Sequence, residues 1–81
     1  MTLKLEVTRH ARRRMQQRHV TEKEVRHTLI EPDRRATDGD GDPVAFRRFA
    51  DGVTVKVAYV VDAGAHVVKT VICRPERSRG Q

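Results

Sequence analysis

His10, Arg14 and Arg18 recur at every fourth position of a basic segment: between Arg9 and His19 there are five Arg, two His and no acid. On a helix this spacing stacks the three side chains along one face, with a drift of about 40° per step. RNA cleavage without a metal needs activation of the 2′-hydroxyl, protonation of the leaving oxygen and positive charge at the phosphorane. Histidine titrates near neutrality, and arginine can hold two phosphate oxygens at once. His10 therefore suits an acid or base, with Arg14 and Arg18 as the phosphate clamp and Arg9 and Arg13 as further RNA contacts. The same residues also suit a solvated basic helix, with Arg18 packed by its stem against a sheet, because Arg is an ordinary helix former.

The remaining candidates lie on the two longest predicted strands. By period two, Lys56 falls opposite Val55, Val57 and Tyr59, and Lys69 opposite Val68, Thr70 and Ile72. Lys56 either anchors a polar catalytic site or points to solvent. Tyr59 is either a core ring with its hydroxyl at the rim or a catalytic acid, and Lys69 is an RNA contact. His27 and His66 have no metal-ligand spacing, so no zinc site and no cofactor are expected. Asp38, Asp40 and Asp42 begin like a calcium loop, but Pro43 stands where Gly is needed and Phe49 where the terminal Glu is needed, which rejects calcium. Phe46, Phe49 and Tyr59 are the only aromatics, too few for a base-stacking platform.

These residues need a scaffold, and 81 residues allow one domain, expected over 1–74 with a basic tail fraying over 75–81. Hydrophobic residues at 37% against charged residues at 35% describe a thin core, which homodimerisation or a partner would supplement. Seventeen Lys and Arg against eleven Asp and Glu give a net charge of +6, which attracts nucleic acid, anionic lipid or an acidic protein. The lone Cys73 cannot form an internal disulfide, and no apolar run or leader pattern points to a membrane or to export, so a cytoplasmic location is expected.

Leu3, Leu5 and Val7 alternate with Lys4 and Glu6 as in a half-buried strand, and Thr8 can cap a helix over Arg9 to Arg18 with Ala11 and Met15 inward. Thr21-Glu22-Lys23-Glu24 has capping-box spacing and predicts a second helix from Glu22, with Val25 and Leu29 inward, which Pro32 ends. Asp38 to Pro43 reads as an exposed hairpin tip. Val44 to Ala50 and Val53 to Val61 read as strands joined by a two-residue turn at Asp51-Gly52. A last strand spans His66 to Cys73, and Arg34 to Thr37 pairs weakly beside the others. The expected class is α+β: strand, helix, helix, then a three- to four-stranded antiparallel sheet with both helices on one face. Two short helices near His19 also raise a helix-turn-helix, but the acids Glu22, Glu24 and Glu31 sit on the second helix, which would have to read DNA.

The segment His10-Ala-x-x-Arg-Met-x-x-Arg-His-Val-Thr-x-x-Glu-Val25, followed later by Val68-Lys-Thr-Val71, resembles a family of small bacterial domains of unknown function. That family carries a His-Ala-x-x-Arg-Met-x-x-Arg-Gly-Ile motif. It has been grouped with RelE-like and BrnT-like toxins in the barnase, EndoU, colicin and RelE superfamily of metal-independent ribonucleases. The resemblance implies a RelE-like fold, with His10, Arg14 and Arg18 as signature positions. It also implies a toxin-type endoribonuclease that holds RNA against the first helix and the adjacent sheet. The reading from a different class is a non-catalytic module using the same basic face for RNA or for an acidic partner such as an antitoxin. His19 stands where the motif has Gly, a position suited to a left-handed helix end.

Overall fold

The alternating start of the chain forms strand β1 (Leu5–Val7), and the Thr8 hydroxyl then accepts a hydrogen bond from the Ala11 amide at 3.1 Å to open helix α1 (Arg9–Arg18). His19 ends that helix in the left-handed region at φ 56 and ψ 42, as the resemblance implies for a position where Gly is usual. Thr21 and Glu24 form the reciprocal capping box that starts helix α2 (Glu22–Ile30). Four strands follow: β2 (Arg34–Thr37), β3 (Pro43–Arg48), β4 (Thr54–Asp62) and β5 (Ala65–Arg74). This computed structural model describes residues 3–75, so the fraying expected over 75–81 lies, beyond Pro75, outside the described residues.

The element order is as expected, but the sheet has five strands rather than three or four and is mixed rather than antiparallel. Its order is β1-β5-β4-β3-β2, with β1 parallel to β5 and all other pairs antiparallel. The two helices carry the chain across the sheet before β5 is laid down, so β1 completes the free edge of β5 in the parallel sense. β2 pairs along its whole length with β3, from Arg34 opposite Phe46 to Thr37 opposite Pro43.

Loop chemistry sets the registers. In the β2–β3 loop the Asp38 carboxylate accepts hydrogen bonds from the amides of Asp40 (2.9 Å) and Asp42 (3.0 Å), an Asx turn at the expected tip. The expected two-residue turn at Asp51-Gly52 is a three-residue loop, because Phe49 donates to the Val53 carbonyl across Ala50, Asp51 and Gly52. Gly52 supplies the left-handed position this loop demands, at φ +83. The β4–β5 turn is the two-residue kind, with Ala63 at φ 50 and Gly64 at φ 79.

Both helices cover one face of the sheet, α1 on β5 and α2 on β4 and β3. Ala11 and Met15 from α1 and Val25 and Leu29 from α2 meet Ala45, Val55, Val57, Tyr59, Val68, Val71 and Cys73 there in a single core. One irregularity decides what β5 shows on its other face. Ala58 pairs with Thr70 but Tyr59 pairs with Val68, so Lys69 is an extra residue, a β-bulge. The period-two expectation put Val68, Thr70 and Ile72 on one side. The bulge instead leaves Val68, Val71 and Cys73 in the core and turns Thr70 and Ile72 to the opposite face.

Candidate functional site

On the face away from the helices, the strand register lines up Arg34, Phe46, Lys56 and Ile72 in one row across β2, β3, β4 and β5. The adjacent row toward the open end is Arg48, Thr54 and Arg74. Neither row contains an acid, so four cations share this part of the face. Phe46 is the aromatic at its centre. The Arg34 guanidinium lies over its ring at 4.4 Å from the centroid and the Lys56 ammonium approaches to 5.8 Å.

Two depressions meet here. One, of about 270 Å³, is lined by Phe46, Thr54, Lys56, Ile72 and Arg74. The other, of about 410 Å³, is lined by Arg18, Ile72, Cys73, Arg74 and Pro75. Ile72 and Arg74 belong to both, so the two adjoin along the end of β5 as a groove interrupted by that shared wall, between Phe46 and the C-terminus of α1. The Cys73 thiol faces the helix side, donating to the Arg18 carbonyl at 3.6 Å, and is itself buried. Among the described residues, no histidine or carboxylate lines either depression. The groove therefore offers positive charge and apolar surface, the means to bind a polyanion, and Lys56 is the one group on its open face among the described residues able to exchange a proton.

The structure divides the residues singled out in the sequence. Arg18 and Lys56 reach this groove from its two ends. His10 does not: it lies about two helical turns away, about 12 Å along the axis from Arg18, and lines a separate shallow depression with Arg9 and Arg13. Arg14 donates to the Gln17 side chain at 3.1 Å on the exposed flank between them. Tyr59 is in the core on the other side of the sheet, its hydroxyl accepting from Arg35 at 3.0 Å while Arg35 also donates to the Leu29 carbonyl. Its ring lies 5.3 Å from that of His66.

Lys69 sits at the bulge and donates to the Asp42 carboxylate. That hydrogen bond and the charge of Asp42, reinforced by Asp38 and Asp40, hold the ammonium above its ordinary titration range. The acidic loop thus takes up the charge of Lys69 and leaves the open face positive at one end and balanced at the other. No cluster of three or more His, Cys, Asp or Glu side chains among the described residues is placed to hold a metal ion.

Phe46, Arg34 and Arg74 escaped the sequence reading. Each is unremarkable in its own strand, and only the cross-strand register gathers them, although the alternation of Phe46 with Ala45 and Arg47 already put its ring on one side of β3.

A family model described as Domain of unknown function (DUF4258) matches residues 7–72, from the end of β1 into β5. Neither curated proteins nor solved structures provide a match. No helix among the described residues is long and apolar enough to cross a membrane.

Proposed function

Because the chain belongs to this DUF4258 family, we propose from its own geometry that it is an RNA-binding domain of the RelE/BrnT-like toxin type. Its contact surface is the open sheet face together with the C-terminus of α1. The observation that carries this is that the depression at the Arg18 end of the helix adjoins the one in the Lys56 and Arg34 row across Ile72 and Arg74, with no acid among the described residues lining either. Arginine forks and a lysine along a groove fit successive phosphates, and the local field is positive where the chain as a whole is +6. The adjoining α1 flank, with Arg14, Arg13 and Arg9, extends the positive surface beyond the groove, and His10 lies between Arg9 and Arg13 there.

Binding is favoured over metal-independent cleavage, because no histidine or carboxylate among the described residues lines the groove to work with Lys56, and His10 lies elsewhere. The test mixes the domain with a 5′-labelled single-stranded oligoribonucleotide in EDTA, with affinity read by fluorescence anisotropy and product length on a gel. Saturable, salt-sensitive binding with intact RNA is expected. Discrete fragments that disappear in the His10→Ala variant would replace this reading with the ribonuclease one, and no binding at low salt would remove RNA as the partner.

A further inference from the structure

We infer that the depression between Phe46 and Ile72 is a subsite for one unpaired nucleobase, which makes the ligand a single strand rather than a duplex. This inference rests on the RNA reading above and adds to it what the groove does besides neutralising phosphate. Its floor is apolar, made by the Phe46 ring, Ile72 and the Thr54 side chain, while its two cations, Lys56 and Arg74, belong to its lining from neighbouring strands. A flat apolar ring carrying a negative charge beside it is the ligand such a slot complements, and a nucleotide is that ligand. Phosphate alone would leave the apolar floor without a partner.

The aromatic is also arranged to receive a base on one side. Arg34, on β2, already stacks at 4.4 Å over Phe46, so a base enters from the β4 side, where Lys56 stands at 5.8 Å and the depression opens. Lys56 stands between Phe46 and Ile72 in the row, and the depression of about 270 Å³ that these side chains form with Thr54 and Arg74 is space for one base and not for a row of them. Three aromatics are too few for a platform of several bases, but Phe49 packs against the core and Tyr59 lies within it, so the open face needs only the one it has. In a duplex the bases are stacked on each other and their faces are closed to such a slot.

The test compares three probes of equal phosphate number: a single-stranded oligoribonucleotide, a strand of the same length whose sugars carry no bases, and a duplex. Anisotropy is measured for the native protein and for Phe46→Leu, which keeps an apolar side chain but removes the ring, with circular dichroism to verify that the variant is folded. The native protein should bind the single strand about ten-fold or more tighter than the base-free strand, the range expected for one stacked base. Phe46→Leu should bring the two affinities together. Equal native affinity for all three probes would overturn the base subsite while leaving phosphate binding in place. Failure of every probe to bind would instead overturn the RNA reading itself. The comparison of probes on the native protein decides the matter even if the variant does not fold.

Discussion

Replacing Lys56 by Gln should flatten the salt dependence of RNA binding by an amount the groove geometry specifies. Three cations, Arg18, Lys56 and Arg74, line the two depressions, and a fourth, Arg34, stacks on the Phe46 ring at their edge. If each meets one phosphate, log affinity should fall against log salt with a slope of about −2.8, at about −0.7 per contact on a single strand. Between about 50 and about 200 mM salt that weakens binding about 50-fold, and the loss of one contact reduces the slope to about −2.1 and the change to about 20-fold.

Lys69→Gln is the internal control, because the ammonium of Lys69 is already held by Asp42. It should leave the slope unchanged. Arg9→Gln with Arg13→Gln tests the separate depression at the start of α1 and should also leave it unchanged. The assay is an anisotropy titration of a labelled single-stranded oligoribonucleotide at four or more salt concentrations. A Lys56→Gln slope equal to that of the native protein, or a Lys69→Gln slope reduced as much as that of Lys56→Gln, would refute the assignment of the groove.

Other expectations concern the fold that holds the groove. His19→Gly should raise stability by up to about 1 kcal/mol, which for a domain of this size is up to about 4–8 °C in melting temperature, because His19 occupies a left-handed helix end; an unchanged or lower melting temperature would count against the cap. Ala63→Asn should add about 0.5–1 kcal/mol by placing a residue tolerant of positive φ in the two-residue turn, where Ala63 now sits at φ 50, read by urea unfolding. Tyr59→Phe should cost about 1 kcal/mol by removing the acceptor of the Arg35 hydrogen bond, with RNA affinity unaltered, since the hydroxyl is on the helix side of the sheet; a loss of affinity at unchanged stability would return Tyr59 to the site. Lys69 has its folded pKa raised above the ordinary lysine value of 10.5, so the stabilisation from its Asp42 pair is complete below that value and is lost as pH rises through the raised one. The stability difference between the native protein and Lys69→Met should therefore be flat near neutrality and shrink only in strong alkali, and a difference that vanished at neutral pH would contradict the pair.

Local signals were legible in the sequence wherever a short stretch carries its own chemistry. Thr8 and the Thr21–Glu24 box start the helices they announce, His19 takes the left-handed end, and the Asp38 loop turns where three acids and two glycines make extended pairing costly. The +6 charge and its concentration on α1 were equally plain, as was the burial of Val55, Val57 and Tyr59 opposite Lys56. Tertiary structure decided everything that depends on which residues face each other across strands. β1 completes the sheet at the edge of β5, far along the chain, and no local pattern specifies a parallel partner at that distance. A single extra residue at Lys69 reverses the faces of β5 beyond it, puts Ile72 beside Lys56 and brings Arg74 into the lining it shares with Arg18, whereas His10, at i, i+8 spacing from Arg18 on the same helix, is left about two turns away. Spacing along one helix is a property of the sequence, but a site shared between a helix end and the far face of a sheet exists only after register, bulge and edge have been set by packing.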